Sequence, residues 1–257
     1  MIKKGVGTLG NRIIAVSVAA GIGLSLTLGS VQLGKGEESR ENEIHYTAVP
    51  HAEAKHLPHI KEEIKEAVLL NVPLFNQMDS PRLYNGCEVT SLAMVMKYEG
   101  IDVTKNDLAN EIHRVPLRYN NGGYGNPNEG FVGNMEDGPG LGVYQEPIFE
   151  LAKKYFPDRA ENLTGKPFNV LLQKVGEGSP VWIITTASLS PAASFETWNT
   201  PNGPVDVTFQ MHSVAITGYD KNYIYVNDPY GTKNKKVPKE AFVKAWELMG
   251  SQAVVIN

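Results

Sequence analysis

The 257-residue sequence predicts an α+β domain, with helices in its first part and antiparallel strands in its second. Three observations carry this expectation. Apolar residues recur at helical spacing between Val89 and Tyr155. Strand-like runs dominate from Val181 onward, among them VWIITTA, HSVAITGY and YIYVNDP. The last two are separated only by a short turn around Asp220, Lys221 and Asn222, so they read as neighbouring antiparallel strands.

Ahead of the domain, Lys3, Lys4 and Arg12 precede an uncharged apolar run over residues 13 to 33. That pattern is an export signal, either cleaved or kept as a membrane anchor. Removal is the favoured reading, because Gly21, Gly23 and Gly29 weaken a spanning helix. Either way, the rest of the chain is expected outside the cytoplasm, secreted or held at the outer face of the membrane. Residues 34 to 67 are polar and mixed in charge, which predicts a linker. Its histidines, His45, His51, His56 and His59, are spaced 6, 5 and 3 apart, which places no regular pair on one helix face and argues against a metal site. The domain itself is expected over 68 to 257. With 24 basic against 28 acidic residues, nothing in the charge balance suggests a nucleic-acid partner.

Within the domain, VLLNVPLF predicts an entering strand over 68 to 75, and NQMDSPRLYNG a turn-rich approach to the first helix. Val89, Leu92, Ala93 and Met96 form that helix's apolar stripe, Gly100 ends it, and Asn85 with Glu88 suggests a capping box. A second helix near 105 to 115 has Thr104 as cap and Asp107 at its third position. A third, near 146 to 155, begins at Glu146-Pro147 and buries Ile148, Leu151, Ala152 and Tyr155. Residues 118 to 142 are glycine-rich and predict a long loop forming a cleft wall. A short helix near 168 to 175 leads to VWIITTA, and a polar loop around Trp198 follows. The final elements are the strands VDVTFQ, HSVAITGY and YIYVNDP, a helix over 239 to 249 and the strand QAVVI.

The chain has one cysteine, Cys87, so no disulfide can form within it. Its predicted place in the first turn of a helix, beside unpaired backbone N–H groups, favours a thiolate. A thiolate nucleophile needs a base. Four of the six histidines lie in the linker and His113 on a surface turn, which leaves His212 at the start of its strand. In the predicted hairpin, His212 meets Asn227 or Asp228, either of which can orient an imidazole.

The segments NQMDSPRLYNGCEVTSLAMVM, MHSVAITGY and YIYVNDPYG resemble exported bacterial proteins related to the bacteriocin-processing, double-glycine type cysteine peptidases of the papain-like superfamily. The resemblance spans roughly residues 70 to 257. It implies a papain-like fold in which a helical part carrying the nucleophile packs on an antiparallel sheet carrying His and Asp. It further implies Cys87 as nucleophile, His212 as general base and acid, Asp228 as the group orienting His212, and Gln77 as an oxyanion donor beside the Cys87 backbone N–H. Glu88 stands where the bacteriocin processors commonly have glycine, and Gln77 lies ten residues before the cysteine. The implied reaction is hydrolysis of a peptide or protein substrate through a thioester, with no metal or organic cofactor. Acyl transfer by the same triad, and a non-catalytic surface-binding module with a structural Cys87, are the two other readings.

Overall fold

The structure, a computed structural model, describes residues 65–257; the apolar run, most of the linker and the four linker histidines lie outside the described residues. In chain order the elements are β1 (Val68–Leu69), α1 (Cys87–Tyr98), α2 (Lys105–Glu111), β2 (Arg114–Val115), β3 (Phe131–Gly133), β4 (Gly140–Gly142), α3 (Gln145–Tyr155), β5 (Ala160–Asn162), α4 (Phe168–Glu177), β6 (Val181–Thr186), β7 (Glu196–Thr200), β8 (Gly203–Val207), β9 (Met211–Tyr219), β10 (Tyr223–Asp228), β11 (Thr232–Pro238), α5 (Lys239–Leu248) and β12 (Ala253–Ile256).

Seven strands form the main sheet in the order β11-β10-β9-β6-β12-β5, with β1 also pairing to β9, and every pairing is antiparallel. Strand alternation then decides the two cores. Trp182, Ile184, Ala215, Val254 and Ile256 face a cluster built with α1, α2 and α3. Their sequence neighbours Val181, Ile183, Val214, Ile216, Ala253 and Val255 face the opposite cluster, built with α4 and α5. Because both faces are covered, the central strands are apolar at consecutive positions.

Helix α1 is the element most enclosed by this arrangement. Residues Cys87 through Met96 are all buried, so the apolar stripe read from the sequence is one side of a helix covered all round. Its start differs from expectation. Gly86 is the N-cap and no side chain caps the helix; the Asn85 amide instead donates to the Asn134 carbonyl at 2.9 Å. Helix α2 has the expected box: Thr104 accepts from the Asp107 N–H, and Asp107 accepts from the Thr104 N–H. It ends at Glu111, and Val115 belongs to a strand.

Four further segments depart from the sequence reading. The entering strand is only two residues long, and residues 70–86 run without regular structure up to α1. The glycine-rich segment holds β3 and β4, which join β2 in a small three-stranded sheet around the buried Val132. The Trp198 loop is the hairpin β7–β8, with the indole buried and stacked on Tyr124 at 4.1 Å. Strand β11, the polar run TKNKKVP, completes the edge of the main sheet beyond β10.

Candidate active site

Two pieces of local structure meet at the site. The first turn of α1 is seated on the start of β9, where the Ser91 hydroxyl donates to the Ser213 carbonyl at 3.1 Å. Trp182 of β6 fixes the same turn from beneath, its indole N–H donating to the Glu88 carbonyl at 3.0 Å. Cys87 thereby lies beside the Ser213 backbone N–H, one residue from His212.

His212 is buried, and its Nε2 lies 3.0 Å from Asp228 Oδ1. The register of β9 and β10 shifts between Tyr225 and Val226, which brings the end of β10 alongside the start of β9. Asp228 also accepts from the Tyr230 backbone N–H at 3.1 Å, and its Oδ2 pairs with Lys235 Nζ at 2.9 Å. Burial opposes ionisation of this carboxyl, but the His212 hydrogen bond and charge, with Lys235 and the backbone donor, outweigh it and hold Asp228 well below the usual carboxylate range. The Tyr230 ring stacks on the His212 ring at 5.1 Å and 14°, packing one face of the imidazole. The neighbouring Asn227 points elsewhere: it donates to the Val72 and Pro73 carbonyls and accepts from the Asn234 N–H, tying the entering chain to the sheet.

The thiol side of the site has the opposite character. Cys87 is 9% exposed, and its Sγ lies 3.3 Å from Glu88 Oε2. Burial, then the charge and hydrogen bond of Glu88, push the Cys87 thiol well up, against the smaller opposing effects of the Ser213 and Cys87 backbone N–H groups. The helix start therefore does not by itself yield a thiolate, because desolvation and an adjacent carboxylate outweigh it. Glu88 is itself fully enclosed, and burial raises its carboxyl from an ordinary 4.5 to about 7 despite the Val143 N–H it accepts at 3.0 Å.

Gln77 is buried in the approach to α1, and its Nε2 donates to the Leu83 and Tyr84 carbonyls at 3.2 and 2.9 Å. Both amide hydrogens are spent there, while Oε1 has no partner among the described residues. In this state Gln77 shapes the 83–86 turn that delivers Cys87. Serving an oxyanion requires it to give up one of those carbonyls. His113 stays at the surface, bonded to the Glu129 carbonyl at 2.7 Å. Tyr84 and Tyr230 are 54% and 58% exposed; Tyr230 covers the imidazole, and its hydroxyl is near enough to feel the charges of Cys87, Asp228, Tyr84 and Glu88.

Sequence reasoning missed Lys235, Tyr230 and the burial of Glu88. The nearest signal for Lys235 was the alternation in TKNKKVP, whose lysines fit an exposed edge strand.

A helix-borne cysteine packed on an antiparallel sheet that carries a buried His–Asp pair defines the papain-like class of α+β cysteine-peptidase folds. The model of the Peptidase_C39-like family matches residues 69–254, and the chain belongs to that family. The uncharacterized protein YvpB of Bacillus subtilis is 58% identical over 198 residues, covering 77% of this chain and 79% of its own. A crystal structure of a Bacillus anthracis protein assigned as a C39-like peptidase aligns with a TM-score of 0.72 and 48% identity, over 75% of this chain and 98% of that one. Family membership thus identifies the chain as cysteine-peptidase-like in general.

Proposed function

We propose that this chain is an exported cysteine peptidase that hydrolyses peptide bonds through Cys87, His212 and Asp228. The observation that carries the reading is the buried His212–Asp228 pair at 3.0 Å beside the first turn of the cysteine helix. Because Nε2 is engaged by Asp228, Nδ1 is the nitrogen left to take the thiol proton. The thiolate then attacks the substrate carbonyl carbon, forming a C–S bond as the carbonyl electrons move to oxygen. The Cys87 N–H at the helix start, and Gln77 once one of its present bonds is released, are the proposed donors to that oxyanion. The imidazolium gives its proton to the leaving amine, and the C–N bond breaks to leave a thioester. Water, deprotonated by the same imidazole, hydrolyses the thioester and restores the thiol.

Asp228 stabilises the imidazolium in each half-reaction and fixes its ring. The exposed faces of Tyr84 and Tyr230 form the substrate-side border. Location outside the cytoplasm rests on the charged start and apolar run of residues 1–33, followed by a linker over 34–67 and the peptidase domain over 68–257. The test is incubation of the protein with a peptide library, comparing wild type with Cys87→Ala. Shortened products from wild type, reduced at least about a thousandfold in a folded Cys87→Ala, are expected. Cross-linked products would indicate acyl transfer instead, and equal cleavage by both proteins would remove Cys87 from the chemistry.

A further inference from the structure

Among the described residues, Glu88 is an ionisable group in hydrogen-bond contact with Cys87 that the triad chemistry does not use. Its side chain spans a closed path: Oε2 lies 3.3 Å from Cys87 Sγ, and Oε1 accepts the Val143 N–H at 3.0 Å. The surrounding backbone is shaped to it. Gly142 has φ +131°, and a Cβ there would collide with Glu88 Oε1 and the Met211 methyl group. The main-chain carbonyl of Glu88 is fixed separately by Trp182. No ion pair to Glu88 is formed among the described residues. A buried carboxyl without a cation is costly to ionise, so its protonation is set by the few donors it has, the thiol among them.

We propose that Glu88 is a positioning residue whose carboxylate accepts from the Cys87 thiol and keeps the resting nucleophile in its thiol form. With Glu88 ionised, the S–H donates to Oε2, and the carboxylate charge opposes a second negative charge on sulfur. When Glu88 takes up a proton from water, that charge is gone, its carboxylic acid can donate to sulfur, and the His212 imidazole takes the thiol proton without an opposing carboxylate. The carboxyl proton comes from water and the thiol proton goes to the imidazole, so both are accounted for as sulfur becomes nucleophilic. A pair coupled this closely titrates as a unit, and the buried carboxyl's rise to about 7 puts its protonation within reach of neutral pH. The proposal deepens the peptidase reading and rests on it only in taking Cys87 as the nucleophile.

The ionisable groups facing Glu88 are few. Cys87 adjoins it on α1, and the Tyr230 hydroxyl after β10 feels its charge. Beyond Tyr230 come His212 of β9, Asp228 of β10 and Lys235 of β11. From β6 and from the chain after β4, the contacts are the Trp182 indole and the Val143 N–H. All of these are retained in Glu88→Gln, so they contribute equally to the two profiles compared.

The experiment is the rate of Cys87 alkylation by iodoacetamide against pH in the full chain, for wild type and Glu88→Gln. No substrate is needed, so a protein that cleaves no peptide can still pass, and failure here is distinct from failure of the peptidase reading. The neutral amide is expected to lower the thiolate midpoint by about one pH unit and to raise alkylation at neutral pH about tenfold. A folded Glu88→Gln whose midpoint is unchanged or higher overturns the proposal. If that variant does not fold, the protonated-carboxyl stretch of Glu88 in the infrared is titrated in wild type and Cys87→Ala. Loss of the S–H donor should raise the Glu88 midpoint; an unmoved midpoint overturns the proposal equally.

Discussion

The two carboxylates at this site, Asp228 and Glu88, are both buried and both touch a member of the proposed triad, yet their surroundings drive them in opposite directions. Asp228 ends a strand of the sheet and meets an imidazole, an ammonium and a backbone N–H, so its charge is compensated from three sides. Glu88 sits in the first turn of a helix that is buried all round, where its partners are a thiol and one backbone N–H. Desolvation acts on both, and the number of donors and cations decides which way each titrates. The sheet half is thus set up to hold an imidazolium, while the helical half holds the sulfur back.

The largest way to break this contrast is to remove the compensated charge. Asp228→Asn keeps a group of similar shape that can still orient His212, but it cannot stabilise an imidazolium. The expected outcome is a loss of roughly a thousandfold in kcat/KM with a narrowed pH range. Stability should follow with a definite sign. The folded-state carboxyl is held below its unfolded value, so the stability it contributes is present above the unfolded pKa of about 4 and lost as the pH falls below it. Urea melts of wild type and variant should differ at neutral pH and converge on acidification; a constant gap would mean that Asp228 acts through shape alone.

Glu88 gives the mirror image in stability. Its folded value of about 7 lies above the ordinary 4.5, so the folded protein keeps a proton that the unfolded chain releases. The corresponding stability is fully present below pH 4.5 and is lost as the pH rises through 7, amounting to about 3 kcal/mol. Glu88→Gln should remove that slope, so denaturation midpoints of variant and wild type should diverge upward in the variant's favour between pH 5 and about 8. Parallel curves across that range would show that the folded Glu88 carboxyl titrates as it does in the unfolded chain.

This contrast was only half legible in the sequence. His212 and Asp228 could be brought together because a short turn joins their strands, and local hairpin geometry needs no tertiary knowledge. Thr104 and Asp107 formed their box for the same reason. Glu88 could not be placed so, because a carboxylate three residues after Asn85 is good capping chemistry, and only the tertiary position of Val143 and Gly142 turns it inward. Strands β3 and β4 escaped because glycine lowers strand propensity, yet here Gly133 and Gly142 adopt positive φ where a Cβ would collide, at Gly133 with the Pro139 carbonyl and at Gly142 with the Glu88 and Met211 side chains. Strand β11 was hidden by its lysines, which mark an edge strand rather than a core one. The same edge position brought Lys235 to Asp228, a contact that no local pattern announces.

The smallest expected effect sharpens the comparison most finely, because it asks how much of the compensation at Asp228 comes from that late-arriving cation. Lys235 is 42% exposed, so water screens its 2.9 Å contact, whereas the His212 contact is buried. Lys235→Met keeps the aliphatic stem along the sheet edge and deletes only the charge. Asp228 then retains His212 and the Tyr230 N–H, and its carboxyl should rise only part of the way toward its ordinary value. The loss in kcat/KM should stay below about threefold, equivalent to less than about 1 kcal/mol. The acid limb of the rate profile should move up slightly, and high salt should reduce the difference between variant and wild type, as expected for a screened charge. A loss approaching that of Asp228→Asn, unaffected by salt, would instead make Lys235 an equal partner of His212 in holding the carboxylate, and the site would have to be described as a chain of four groups rather than three.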